Sequence, residues 1–154
     1  MKQSDLLHIS ESYGAPSYVY DADLISAQYK RLCNAFAGVE ELRLHYAVKA
    51  NSNLSILKLF NHLEAGLDTV SIQEVQLGLR AGVDPKKIIF TPNGVSIEEL
   101  EEAVKLGVQI NIDNLSILEQ FGQKYPNVPV CVRINPHVMA GGNSKIAVGH
   151  IDSK

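Results

Sequence analysis

The chain has 154 residues, 45% hydrophobic and 20% charged, a composition that suits a packed domain and excludes a disordered tail. Its 17 acidic and 14 basic residues leave a net charge of −3, and the basic residues are scattered, so no cationic face is set up for nucleic acid. Leu6 and Leu7 are the only apolar pair near the start, and no later segment reaches a membrane-spanning length, so neither a membrane nor a signal peptide is expected and the cytoplasm is the expected location.

Residues 17–20 (SYVY) form a short β-like run ahead of a helix over 22–37. An alternation then begins. Residues 42–48 (LRLHYAV) read as a strand, and the spacing of Leu54, Leu57, Leu59 and Phe60 predicts a helix ending near Ala65 and Gly66. A strand over 67–70 follows, then a helix over 72–81 closed by Gly82, and Asp84-Pro85 turns the chain into a strand over 87–91. After the loop Pro92-Asn93-Gly94 come a helix over 96–106, Gly107 as its stop, and a strand over 108–112. The last unit is a helix over 114–125, a turn over 126–129 and a strand over 130–134. Cys33 and Cys131 stand alone, away from histidines at ligand spacing; both are expected as buried small hydrophobes, with no metal.

Units spaced by about twenty residues give a βα rhythm with parallel strands and right-handed crossovers. A (β/α)8 TIM barrel and an open doubly wound sheet share that rhythm. No G-x-G-x-x-G follows the first strand, which counts against a dinucleotide-binding sheet. About five units fit this length, so the expected fold class is α/β, a partial barrel, with residues 17–20 as a strand belonging to a second β-domain.

Lys49 closes the first strand, and a barrel gathers its chemistry at the C-terminal strand ends. A lysine kept from water there has its ammonium form disfavoured, which yields the neutral amine that Schiff-base chemistry needs. A solvated lysine fits the position too. Asp68 lies inside an apolar strand where an unpaired carboxylate is costly, so it requires a partner, for which Lys49 is the nearest cation in the pattern. Ser71-Ile72-Gln73-Glu74 has the form of a capping box, as has Ser96-Ile97-Glu98-Glu99, so Glu74 has a structural reading of its own. Arg133 is either a site residue or a buried, paired arginine. His45 alternates in phase with Ala47 and Lys49, so it points into the barrel, where a satisfied core histidine is the simpler reading.

The run Tyr46-Ala47-Val48-Lys49-Ala50-Asn51 resembles the YAVKAN signature of the diaminopimelate decarboxylases, within the alanine-racemase-like barrel group of pyridoxal-phosphate enzymes. Further matches follow in order: Gly14-Ala15-Pro16 before Tyr18-Val19-Tyr20-Asp21, then Ala65-Gly66-Leu67-Asp68-Thr69-Val70-Ser71 with Glu74, and Thr91-Pro92-Asn93-Gly94. Val132-Arg133-Ile134-Asn135-Pro136 and Gly149-His150-Ile151-Asp152-Ser153-Lys154 complete the set. The resemblance implies that Lys49 binds pyridoxal 5'-phosphate as an imine, that Asp68 and Glu74 are the acidic pair near lysine and cofactor, and that Arg133 lines the same site. It implies decarboxylation of meso-diaminopimelate to L-lysine, a small-molecule amino-acid substrate, and a homodimer.

Where the family has Ser-Gly-Gly-Glu-Leu, this chain has Ser71-Ile72-Gln73-Glu74-Val75, which keeps the acid and loses the glycines. The family pattern also runs on past Ser153-Lys154, through a ring-stacking histidine, a phosphate loop and a C-terminal β-domain. The expectation is therefore an N-terminal part of such an enzyme, inactive alone: residues 1–21 contributing to the β-domain, and 22–154 an incomplete cofactor-binding barrel. An ornithine, arginine or carboxynorspermidine decarboxylase, and a non-catalytic barrel relative that binds a partner, are the alternatives.

Overall fold

The structure, a computed structural model, describes residues 1–135; the 149–154 motif and Pro136 lie outside the described residues. The chain divides into two compact units, Met1–Leu44 and the part from His45 onward. The first holds two helices, α1 (Gln3–Tyr13) and α2 (Ala22–Ala35). Asp21 caps α2 by accepting from the Leu24 N–H at 3.0 Å and also pairs with the N-terminal ammonium at 2.9 Å. Residues 17–20 are exposed and form no strand: a strand exists only where a neighbour completes its ladder, and among the described residues every ladder lies in the second unit.

That second unit is the predicted alternation. Strands β1 (His45–Ala47), β2 (Gly66–Thr69), β3 (Ile88–Phe90), β4 (Gln109–Ile112) and β5 (Val130–Val132) form one parallel sheet in sequential order. Between them run α3 (Leu54–His62), α4 (Ile72–Arg80), α5 (Ile97–Leu106) and α6 (Leu115–Lys124). β1, β3, β4 and β5 are shorter than their apolar runs and β2 is shifted by one residue; at β2, β3 and β4 a flanking amide is used elsewhere. The Val70 N–H goes to the Glu74 carboxyl, the Lys87 N–H closes a turn on the Asp84 carbonyl, and the Val108 N–H ends α5 on the Ala103 carbonyl.

Strand order decides between the two architectures. In a doubly wound sheet the order reverses and helices cover both faces; here it never reverses, so right-handed crossovers put α3 to α6 on one side. The burial pattern agrees. Leu67, Thr69, Ile88, Phe90, Ile110 and Ile112 alternate toward the helices and are buried, with Leu57, Val75, Leu100 and Phe121 packed among them. The intervening residues, including Ala47, Asp68, Asn111 and Cys131, share the opposite face and are only half-buried or exposed, as on the inner wall of a partial (β/α)8 barrel.

Candidate active site

Strand β1 stops at Ala47, and Val48–Ala50 makes a single 3₁₀ turn that carries Lys49. The rest of the motif holds this turn. Val48 is fully buried, the Tyr46 ring stacks on Phe60 with centroids 4.0 Å apart, and the Tyr46 hydroxyl donates to the Asn51 carbonyl at 3.2 Å. Asn51 then accepts from the Asn53 N–H, and Asn53 from the Ser55 N–H, each at 2.9 Å, which starts α3. Lys49 is what the turn presents at the C-terminal rim of the sheet. It is exposed, not withdrawn from water as expected, because the turn lifts it off the strand.

Asp68 is the last inner-face residue of β2, paired in register with Ala47. Its partner is not Lys49. The Thr91 hydroxyl donates to Asp68 Oδ1 at 3.0 Å, and Asn111 Nδ2 donates to Thr91 Oγ1 at 3.0 Å. Gln109 Nε2 lies 3.4 Å from Asn111 Oδ1 and 3.3 Å from Cys131 Sγ, so a polar row crosses the inner face from β2 to β5. Asp68 needed a partner in a strand, as the sequence implied; a neutral hydroxyl one strand further on satisfies it. Thr91 and Asn111 are the members sequence reasoning missed, although Thr91 sits in the quoted Thr-Pro-Asn-Gly run.

Glu74 is a cap in this geometry. Its Oε2 accepts from the Val70 N–H at 2.8 Å while the Ser71 hydroxyl accepts from the Glu74 N–H at 3.2 Å, tying the end of β2 to the start of α4. Ile72, standing where the family has glycine, is buried in the core beneath that helix. Arg133 lies just past β5, its N–H bonded to the Ile112 carbonyl at 2.8 Å, and is exposed rather than the buried arginine of the alternative reading. His45 is half-buried with its ring against Gly66. Cys33 is half-buried and Cys131 exposed, because the inner face that carries Cys131 is open among the described residues. Among those residues no group of His, Cys, Asp and Glu can hold a metal ion.

Two clefts open at the same end of the sheet. One, of about 300 Å³, lies between the Pro92–Val95 loop and Asn111, Asp113 and Asn114. The other, of about 400 Å³, is lined by Asp113, Asn114, Leu118 and Arg133. Lys49, Asp68, Thr91, Asn111 and Arg133 all come from the inner face or the C-terminal strand ends, where barrels place their binding groups.

A half-turn of βα units with a lysine on its rim and a polar inner wall defines a barrel of the kind that binds a small ligand at its C-terminal face. Residues 22–154 match the family described as pyridoxal-dependent decarboxylase, pyridoxal binding domain, and the chain belongs to that family. It is 36% identical over 153 residues to a diaminopimelate decarboxylase of Methanothermobacter thermautotrophicus, an alignment that takes in 98% of this chain and 36% of that protein. A diaminopimelate decarboxylase of Helicobacter pylori is 38% identical over 149 residues, 94% of this chain and 36% of its own length. The crystal structure of the Helicobacter pylori enzyme complexed with L-lysine superposes with a TM-score of 0.86 at 36% identity, over 96% of this chain and 39% of that one. A lysine/ornithine decarboxylase from Vibrio vulnificus, complexed with putrescine, gives 0.76 at 28% identity over 85% of this chain and 36% of that one. The chain thus spans little more than a third of the length of these relatives.

Proposed function

We propose that this chain supplies the cofactor-binding lysine and the neighbouring barrel wall of a pyridoxal-phosphate-dependent decarboxylase acting on meso-diaminopimelate, releasing carbon dioxide and L-lysine in lysine biosynthesis. The observation that carries the reading is Lys49, an exposed amine fixed on the rim by a turn that Tyr46, Val48 and Asn51 hold. The donor set fits pyridoxal 5'-phosphate: an amine for covalent attachment, a half-buried acid on the adjacent strand, and Arg133 at the far end of the same rim. That cofactor, when bound, supplies the electron sink for decarboxylation. Lys49 anchors it, Asp68 sets the charge beside that anchor, Glu74 holds the β2–α4 corner on which Asp68 rides, and Arg133 orients the cofactor or its neighbours. The holoenzyme is proposed to be a cytoplasmic homodimer in which residues 1–21 contribute to a β-domain and 22–154 to the barrel. Expressed alone, the 154 residues are proposed to be inactive.

Borohydride reduction of the holoenzyme should fix pyridoxal phosphate on one peptide, and mass spectrometry should place it at Lys49. Lys49→Ala should remove that label and lower turnover by orders of magnitude; a variant that keeps both ends the proposal. The likeness to a lysine/ornithine decarboxylase favours a second substrate class, so carbon dioxide release should be compared for diaminopimelate, lysine, ornithine and arginine.

A further inference from the structure

We propose that Thr91 and Asn111 are positioning residues that aim the Asp68 carboxyl group, so that the cofactor-side acid is set by a relay across three strands. The inference rests on the reading of Asp68 as a site residue. Its warrant is that the threonine hydroxyl has a single proton, which sets the direction of the bonds behind it. A threonine hydroxyl has one proton, and that proton goes to Asp68 Oδ1 at 3.0 Å, so its lone pairs face Asn111. Asn111 must then turn its NH₂ toward Thr91, at 3.0 Å, and its carbonyl oxygen toward Gln109 Nε2, at 3.4 Å, which fixes the amide's orientation. Gln109 is in turn held at Cys131 Sγ, 3.3 Å away on β5.

Asp68, Thr91 and Asn111 are half-buried, so water competes less for these bonds than at an open surface. With Oδ1 accepting from Thr91, Oδ2 is left for a second donor; the register pairs Asp68 with Ala47, two residues before Lys49 in the chain. Without the relay the carboxyl group turns freely about its side-chain bonds and either oxygen points anywhere on the inner wall. A short polar side chain at each position, spaced two residues along β4 and just past the end of β3, is what the staggered register of parallel strands requires for such a row.

The test uses the holoenzyme and its apo form, with Asp68→Asn as benchmark. Thr91→Val keeps the shape and removes the hydroxyl; Thr91→Ser restores it; Asn111→Leu cuts the relay one step earlier. The readouts are the dissociation constant of pyridoxal phosphate from the apo-protein, the bound cofactor's absorbance spectrum, kcat and KM, and the melting temperature. Thr91→Val should move cofactor affinity or kcat by about ten-fold, the size of one hydrogen bond to an acid, in the direction Asp68→Asn moves it. Thr91→Ser should recover most of that change, and Asn111→Leu should give a smaller one. Combined with Asp68→Asn, Thr91→Val should add nothing further, since both act through one carboxyl group. Additive effects, or a Thr91→Val protein that matches the wild type while Asp68→Asn does not, overturn the relay and leave the role of Asp68 standing. If Asp68→Asn leaves affinity, spectrum and turnover unmoved, the site reading itself fails and the relay with it. Should Thr91→Val not fold, Asn111→Leu carries the same comparison.

Discussion

Gly66 opens β2 at a point where no side chain fits, and replacing it by alanine tests both the strand register and the inner wall. An added Cβ would lie 2.4 Å from His45 Cδ2, 2.5 Å from His45 Nε2 and 2.6 Å from the Lys87 carbonyl oxygen. Ordinary contacts between carbon atoms sit at about 3.5–4.0 Å, so each is short by about 1 Å. The imidazole can swing away. The carbonyl cannot, because it belongs to the residue just before Ile88, which pairs with Leu67 one position after Gly66. Relief therefore means prising β2 from β3, and the cost should reach the upper end of overpacking, about 3 kcal/mol. For a protein of this size that lowers the melting temperature by about 6–12 °C. Gly78→Ala is the control: its Cβ meets Leu67 Cδ1 at 2.7 Å and Ile88 Cδ1 at 3.1 Å, both ends of flexible side chains, while helix propensity returns about 1 kcal/mol. It should stay within about 1 kcal/mol of the wild type. Adding His45→Ala to Gly66→Ala should recover only part of the loss, since the carbonyl remains. Thermal unfolding followed by circular dichroism decides it; a Gly66→Ala protein as stable as the wild type refutes the close approach.

Tyr46→Phe keeps the stack on Phe60 and loses the bond to the Asn51 carbonyl, so it should cost about 1 kcal/mol in a denaturant titration and loosen the Lys49 turn, seen as faster amide exchange at Asn51. Glu74→Ala should cost about 1 kcal/mol through the lost cap, whereas Glu74→Gln, which keeps an acceptor oxygen, should melt like the wild type. Any loss of turnover in Glu74→Gln then reports the charge alone. Glu64 has its pKa lowered from 4.5, first by the hydrogen bond from Lys87 and then by that lysine's charge. A depressed carboxyl pKa stabilises above the unfolded value and fades as pH falls through the folded one, so the melting curves of wild type and Glu64→Gln should differ slightly at neutral pH and converge below about pH 4.

From His45 onward the order of elements was legible because each unit closes with local signals that need no tertiary context, whereas helix α1 was not foreseen. Gly82 and Gly107 take positive φ at helix ends, and Ser71, Ser96 and Asn114 cap helices where the sequence put their starts. Strand ends were not legible, since whether the Val70, Lys87 or Val108 amide joins a ladder depends on a competing acceptor three to five residues away. Gly66 shows the same limit. It read as the stop of the preceding helix, but α3 ends at His62 and Glu64 takes the left-handed turn at φ 64°, which frees Gly66 to start β2 against His45. Residues 17–20 are a different case: β propensity marks a strand, and a strand forms only where a partner completes its ladder, which no segment does for them among the described residues.

The site divides along a similar line. Lys49 was visible because a contiguous motif fixes its turn through contacts no more than fourteen residues apart, Tyr46 to Phe60 being the longest. Asp68 was visible as a problem, an acid in an apolar strand, but its solution was not, because the partner is chosen by register. The nearest cation in the chain is the wrong guess when parallel strands step sideways: Thr91 and Asn111, 23 and 43 positions on, arrive beside Asp68 only once β2, β3 and β4 are paired as they are. A parallel sheet built from units of similar length brings residues at similar places in successive units onto one face: Asp68 pairs with Ile89, two residues before Thr91, and Ile89 pairs with Gln109, two residues before Asn111. Reading a barrel for chemistry therefore means comparing the same strand position across units rather than searching outward from a single charged residue. By that rule the counterpart of Asn111 one unit further on is Cys131, which Gln109 Nε2 reaches at 3.3 Å, and Arg133 follows two residues later, just past β5, with its N–H on the Ile112 carbonyl.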